Sequence, residues 1–131
     1  MNILVADDAP SVRKLLRLIL EPARVVIEAR DGDDALRQLI DHRPDVVILD
    51  VMMPARNGIE VCKALRSDPR LASIGVIVIT ANGAPTDRDA ALAAGADHFL
   101  TKPFSPGSVV RLVEDVLASR RVGRWGDEPI A

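Results

Sequence analysis

Five polar residues in this sequence stand where short apolar runs end. Asp7 and Asp8 follow the first run, Asp50 the third, Thr80 the fourth and Lys102 the fifth. Each has an ordinary structural explanation on its own: Asp8 could cap a helix, Asp50 and Thr80 could end a strand, and Lys102 could be a solvated charge. If the five converge on one crevice, they form a site with three carboxylates, a hydroxyl and an ammonium group.

Such a crevice would favour a divalent cation and phosphoryl chemistry. Three clustered carboxylates repel one another, and the single charge of Lys102 does not balance them. Hard oxygen ligands favour Mg²⁺ over Zn²⁺. His42 and His98 are isolated and no CxxC or HExxH motif is present, so a transition-metal site has no support. An aspartate beside Mg²⁺ and a lysine can attack a phosphoryl group and form an aspartyl phosphate.

Two alternating periodicities predict the elements that would position these residues. Short runs of aliphatic residues are typical of strands covered on both faces, as in a parallel sheet. Apolar residues at helical spacing lie between them. The pattern predicts five βα units and a doubly wound, flavodoxin-like α/β fold with strand order 2-1-3-4-5, whose strands bind ligands at their carboxyl ends. The predicted strands contain residues 3–5, 25–27, 46–49, 76–79 and 99–100, and the predicted helices contain residues 12–19, 36–40, 61–65, 87–94 and 109–116.

Length and composition predict one globular domain. The chain has 131 residues, of which 48% are hydrophobic and 27% charged, with a net charge of −2. No basic stripe suggests direct nucleic-acid binding, and no run approaches the ~20 apolar residues of a membrane span. Without a signal-peptide pattern, we expect a cytoplasmic protein. Cys62 is single, so we expect a buried helical side chain there. We assign residues 1–119 to the domain and residues 120–131, which lack periodicity, to a C-terminal tail or the start of a linker.

The segments around the polar residues resemble those of response-regulator receiver domains over residues 1–119. One such fragment would be weak support, but five in order at the expected element boundaries are highly specific. The segments are Val5-Ala6-Asp7-Asp8, Ile48-Leu49-Asp50-Val51-Met52-Met53-Pro54 followed by Gly58 and Glu60, Ile79-Thr80-Ala81, Ala94-Gly95-Ala96-Asp97, and Leu100-Thr101-Lys102-Pro103-Phe104.

The resemblance implies a role for each residue of the phosphorylation site. Asp50 is expected to be the phosphoacceptor, and Thr80 and Lys102 to hold phosphoryl oxygens. Ala81 is small and leaves the phosphoryl group access. The Lys102–Pro103 peptide bond is expected to be cis, which is inexpensive only before proline.

The resemblance also implies a magnesium site. Asp8 would bind Mg²⁺ directly and Asp7 mostly through water. Asp50 and the backbone carbonyl of Met52 would supply further ligands.

A receiver domain is a phosphorylation-dependent switch of a two-component system rather than a metabolic enzyme, although it assists its own phosphorylation and dephosphorylation. The resemblance therefore implies a sensor histidine kinase or phosphotransfer protein as donor. The face of the fourth helix, fifth strand and fifth helix (residues 86–119) would control a partner, an attached output domain or a second copy in a homodimer. Phe99 occupies the aromatic switch position. Because it has no hydroxyl, we expect its outward position to lack a polar anchor. Both a stand-alone regulator and part of a longer protein fit the sequence.

Four alternatives fit less well. A degenerate receiver would lack part of the site, whereas all five residues are present. A haloacid dehalogenase-type phosphatase needs a second aspartate two residues after its nucleophile, where this chain has Met52. A flavodoxin-like FMN binder needs a phosphate loop after the first strand, where Asp7 and Asp8 would repel phosphate. A P-loop NTPase needs a GxxxxGK motif, which is missing.

Overall fold

Strands and helices alternate regularly in the computed structural model, which describes residues 2–81 and 85–126. The continuous aliphatic runs form strands, and the segments with helical spacing form helices between them. The strands are β1 (Asn2–Ala6), β2 (Val25–Ala29), β3 (Val46–Asp50), β4 (Gly75–Ala81) and β5 (His98–Lys102). The helices are α1 (Pro10–Leu20), α2 (Gly32–His42), α3 (Gly58–Ser67), α4 (Pro85–Ala93) and α5 (Pro106–Gly126).

All strand pairs are parallel and the strand order is β2-β1-β3-β4-β5, which confirms the predicted topology. The chain therefore places the ends of β1, β3, β4 and β5 along one edge of the sheet. In the register, Asp50 pairs with Ile79, and Ala81 pairs with Lys102. This arrangement carries the polar strand-end residues to neighbouring positions.

Alternate residues of each strand point to opposite faces, and both faces are covered. Helices α1 and α5 cover one face, where Ile3, Ile48 and Val113 belong to the same apolar cluster. Helices α2, α3 and α4 cover the other, with Leu49 and Cys62 in the second cluster. Cys62 is fully buried as expected, and its thiol donates to the carbonyl of Ala94 at 3.4 Å.

Local sequence explains where the helices near the site begin. Pro10 lies in the first turn of α1, where its missing N–H costs nothing. Asp31 caps α2. Asn57 and Glu60 form a reciprocal capping box that starts α3 immediately behind the site.

The structure differs from the sequence expectation at two helix boundaries. Helix α4 begins at Pro85 rather than near residue 87. Helix α5 continues to Gly126, although residues 120–126 show no apolar periodicity. The remainder of the expected tail, residues 127–131, lies outside the described residues, and the boundary at residue 119 stays a prediction. Within the described part of the chain, no helix is both long and apolar enough to span a bilayer.

Candidate phosphorylation and metal site

The five predicted site residues lie together at the carboxyl edge of the sheet. Asp7 and Asp8 follow β1, Asp50 ends β3, Thr80 lies near the end of β4, and Lys102 ends β5. Three of these side chains, Asp7, Asp50 and Thr80, are buried. A strand-end polar group normally faces water, so this burial separates the site from an ordinary sheet edge.

Asp50 is held from two sides. Its carboxylate Oδ1 accepts a hydrogen bond from the Met52 backbone N–H at 3.0 Å, and Oδ2 accepts one from Lys102 Nζ at 3.1 Å. Gly58 presses against the backbone behind it, because a Cβ at Gly58 would come within 2.4 Å of the Asp50 carbonyl oxygen. Only glycine allows helix α3 to approach the acceptor strand this closely. These contacts fix both the main chain and the carboxylate of Asp50.

Asp7 is fully buried, and within the described part of the chain only one of its carboxylate oxygens is hydrogen-bonded. Oδ1 accepts from the Ala9 backbone N–H at 2.9 Å. Among the described residues, Oδ2 has no hydrogen-bond partner, although Lys102 Nζ lies 3.5 Å away. Burial raises the pKa of Asp7 to about 6, with a further contribution from the neighbouring Asp50 carboxyl that the Ala9 N–H and Lys102 only partly offset.

Lys102 is the cation shared by the two buried carboxylates. Burial alone would lower its pKa, but the hydrogen bond to Asp50 and the charges of Asp50 and Asp7 outweigh that effect and raise it. The ammonium group is therefore charged at neutral pH. The Lys102–Pro103 peptide bond is cis, as expected, and a second cis bond, Glu21–Pro22, was not anticipated.

Asp8 is exposed, beside an open cavity of about 520 Å³. It does not cap helix α1, since the N-cap residue is Ala9 and no side chain caps that helix. The structural explanation that the sequence offered for Asp8 is therefore wrong. Met52, which is 71% exposed, also lines this cavity.

The acid residues fit a divalent cation. Asp7, Asp8 and Asp50 each offer a carboxylate oxygen, and these oxygens lie within 4.8 Å of one another. The buried Asp7 Oδ2 lacks a hydrogen bond from the described residues, so a hard cation would satisfy an oxygen that the described protein groups leave unpaired. An all-oxygen donor set suits Mg²⁺, which keeps several of its waters, and Asp8 lines an open cavity that could hold them.

Thr80 supplies a second unpaired group. Its side chain is fully buried, and Oγ1 has no hydrogen-bond partner among the described residues. An unsatisfied buried hydroxyl is costly unless a ligand or a rearrangement pairs it. The next residue, Ala81, is exposed.

Phe99 is partly buried on β5, and the Arg88 guanidinium of α4 lies 5.2 Å from the centre of its ring. This cation–π contact anchors the ring. The ring therefore has a cationic partner on a neighbouring helix, and the expectation that its outward position lacks a polar anchor stays a prediction.

Sequence reasoning missed Arg13 and Glu28, which support the β1–α1 turn. Arg13 Nη1 donates to the Asp7 carbonyl at 2.7 Å, and its Nε donates to Glu28 Oε1 at 2.9 Å. The usable signal was Glu28, a charged residue inside an aliphatic strand that therefore requires a partner.

Comparison with known proteins agrees with this geometry. Residues 3–114 match the family described as the response regulator receiver domain. The alkaline phosphatase synthesis transcriptional regulatory protein PhoP of Bacillus subtilis (strain 168) is 42% identical over 128 residues, covering 97% of this chain and 52% of that protein. The chain spans about half the length of the curated relatives it matches.

Solved structures give the same result. A putative response regulator from Chloroflexus aurantiacus J-10-fl superimposes with a TM-score of 0.86 at 35% identity, covering 89% of this chain and 97% of that one. The chemotaxis protein CheY4 of Vibrio cholerae gives 0.82 at 32% identity, covering 88% and 97%. The chain belongs to the response regulator receiver domain family. It is a signalling domain of two-component systems, not a metabolic enzyme.

Proposed function

We propose that this chain is a phosphorylation switch in which Asp50 accepts a phosphoryl group from a sensor histidine kinase or a phosphotransfer protein. The observation that carries the proposal is the asymmetry around Asp50. Its carboxylate is fixed by Met52 N–H and Lys102, while the two neighbouring buried groups, Asp7 Oδ2 and Thr80 Oγ1, lack hydrogen bonds from the described residues. A phosphoryl group with its cation would pair both.

In the transfer step, a carboxylate oxygen of Asp50 forms a bond to phosphorus as the phosphorus–nitrogen bond of the donor phosphohistidine breaks. The imidazole leaves with the bonding electron pair and takes up a proton. Lys102 neutralises charge on the phosphoryl oxygens, so catalysis consists of positioning and electrostatics. In a separate dephosphorylation step, water attacks phosphorus and gives up a proton to solvent, the phosphorus–oxygen bond to Asp50 breaks with its electron pair left on the carboxylate, and inorganic phosphate leaves.

Asp7, Asp8 and Asp50, together with the backbone carbonyl of Met52, would hold Mg²⁺. When bound, the ion neutralises the carboxylates and the developing charge on the transferring oxygens. Asp8 is the ligand of this set that solvent can reach, because it is exposed and borders the cavity.

Phosphorylation adds about −1.5 to −2 charges and three acceptor oxygens at Asp50. The Thr80 hydroxyl, which lacks a partner among the described residues, is then drawn towards them. The face formed by α4, β5 and α5 changes shape for a partner, an attached output domain or a second copy. Differential contact of this kind is what shifts a two-state equilibrium. Because relatives such as PhoP are named as transcriptional regulatory proteins, an attached output domain is one natural target of that face.

The test is phosphorylation with a small acyl phosphate and Mg²⁺, followed by intact-mass measurement. We expect one added phosphoryl group, no addition in Asp50→Asn, and none when Mg²⁺ is chelated. The matched control is Asp45→Asn. Asp45 directly precedes β3, at the opposite end of the strand from Asp50, and its Oδ2 accepts from the Asn2 backbone N–H. Asp45→Asn should be labelled like the wild type. Equal labelling of Asp50→Asn would overturn the proposal.

A further inference from the structure

Arg13 connects the two acids that follow β1 to the neighbouring strand. Its side chain is only 16% exposed. Its Nη1 donates to the Asp7 backbone carbonyl at 2.7 Å, and its Nε donates to Glu28 Oε1 on β2 at 2.9 Å. One guanidinium group thus joins α1, β2 and the peptide between Asp7 and Asp8.

The other contacts of this turn leave that peptide dependent on Arg13. The Asp7 N–H donates to the Ala29 carbonyl at 3.1 Å, which extends the β1–β2 pairing by one residue. The Asp7 side chain closes a turn onto the Ala9 N–H. Arg13 is the side chain that holds the Asp7 carbonyl, and rotation of that carbonyl would also rotate Asp8.

We propose that Arg13 is a positioning residue for the magnesium-binding acids: by holding the Asp7 carbonyl it sets the direction of the Asp7 and Asp8 carboxylates. The inference rests on the proposed function. Arg13 lies outside the set of metal ligands and would act on them only by fixing their orientation. Groups that orient metal ligands commonly affect affinity about 10- to 100-fold.

Arg17 provides a matched control on the same helix. Its Nε donates to the other oxygen of Glu28, Oε2, at 2.9 Å, and its other nitrogens bond Glu21 and the Val26 carbonyl. It therefore shares the Glu28 partner and the charge of Arg13, and these hydrogen bonds lead to β2 and the end of α1 rather than to the Asp7 carbonyl.

The charge change makes the expected result specific. Removing a cation near an Mg²⁺ site favours cation binding by simple electrostatics. A loss of affinity in Arg13→Gln therefore runs against the charge effect and reports displacement of the ligands. Arg17→Gln carries the same charge change without that displacement.

The experiment is calorimetric titration of the full chain with Mg²⁺ alone, without phosphodonor. We expect Arg13→Gln to weaken Mg²⁺ binding about tenfold, Arg17→Gln to leave it equal to or slightly tighter than in the wild type, and Arg13→Lys to recover part of the loss. In the metal-free proteins, amide hydrogen exchange of Ala9 should lose protection in Arg13→Gln and keep it in Arg17→Gln.

The outcomes separate the two claims. If the wild type binds no Mg²⁺, the proposed function fails at its metal site, and this inference fails with it. If the wild type binds Mg²⁺ and Arg13→Gln binds it equally well, or if both arginine variants weaken binding equally, only the positioning role of Arg13 is overturned. If Arg13→Gln does not fold, Arg13→Lys decides: affinity and Ala9 protection equal to the wild type would overturn the role.

Discussion

Two aspartates beside a cationic side chain lie at opposite edges of the sheet and differ in how completely they are paired. At the amino edge, Asp97 Oδ2 accepts from Arg66 Nη2 at 3.0 Å and from the Val76 N–H at 2.8 Å. At the carboxyl edge, Asp7 Oδ2 is buried without a hydrogen bond from the described residues, 3.5 Å from Lys102. Each site pairs an aspartate with a basic side chain, but only the Asp97 Oδ2 oxygen has its hydrogen bonds from the described residues.

The other nitrogens of the Arg66 side chain are also hydrogen-bonded. Its Nε donates to the Gly95 carbonyl at 2.9 Å, and Nη1 donates to the carbonyls of Ala72 and Ile74 at 2.8 and 2.6 Å. This clamp joins the end of α3 to the starts of β4 and β5. A fully paired network contributes stability, whereas an incomplete one lowers stability and leaves polar atoms for a ligand. The comparison therefore indicates a structural role for Asp97 and supports the proposed ligand-binding role for Asp7.

The largest expected effect on stability comes from removing Arg66, the residue that pairs Asp97 at the amino edge. Arg66→Met should lower the free energy of unfolding by about 2–3 kcal/mol, because it leaves the carboxylate of Asp97 and several carbonyls without their donor. Urea denaturation measures this, and the Mg²⁺ affinity of the folded protein should stay at the wild-type value. Arg70→Met, which removes an exposed pair with Asp68, is the control and should leave the unfolding midpoint unchanged. A Mg²⁺ affinity that falls in Arg66→Met would contradict the separation of the two edges.

The second prediction concerns Asp7 at the carboxyl edge, whose Oδ2 lacks a hydrogen bond from the described residues. Without metal at pH 7.5, Asp7→Asn should raise the free energy of unfolding by roughly 2 kcal/mol, because it removes a buried charge whose pKa is raised from 3.8 to about 6. The folded wild type retains a proton that the unfolded chain releases between these values. Its stability therefore falls as pH rises from about 4 to 6 and stays low above 6.

Urea denaturation in a chelator at pH 5 and pH 7.5 checks this sign. The Asp7 contribution to the slope should be missing in Asp7→Asn. The matched variant is Asp8→Asn, whose exposed side chain should give a much smaller stabilisation. Crowding of the three acids alone would predict similar gains at both positions, so equal gains would show that repulsion, not burial, sets the cost.

A smaller effect follows for metal binding. Mg²⁺ needs the ionised form of Asp7, so protons compete with the ion and its affinity should fall as pH drops through about 6. Below that value the loss should approach about tenfold per pH unit, as expected for one competing proton. Calorimetric titration between pH 5 and pH 8 measures it. An affinity that is flat over this range would mean that Asp7 does not bind the ion in its ionised form.

The sequence was sufficient for the features that rest on pattern and strand-end chemistry. Aliphatic runs followed by Asp50, Thr80 and Lys102 predicted both the sheet and the edge where they meet. It was insufficient for long-range pairing: nothing near Arg13 or Arg66 indicates which carbonyl each holds, because those partners come from other elements. It was also insufficient for the environment of each acid, since Asp7 and Asp8 are adjacent in sequence but only Asp7 is buried.

The smallest expected effect concerns the link between the site and the face formed by α4, β5 and α5. Arg88 lies over Phe99, and such a contact at a partly exposed site stabilises the ring position by about 0.5–1 kcal/mol. Arg88→Gln should therefore shift the equilibrium between ring positions about two- to fivefold away from the one in contact with α4. NMR of selectively labelled phenylalanine measures this cleanly, because the chain has only two phenylalanines.

Thr80→Ala is the informative companion variant, since it keeps Arg88 but removes the buried hydroxyl. It should leave the resting ring population near that of the wild type while weakening the response to a phosphoryl mimic. Unchanged populations in Arg88→Gln would mean that packing of β5, and not the guanidinium group, sets the position of the ring.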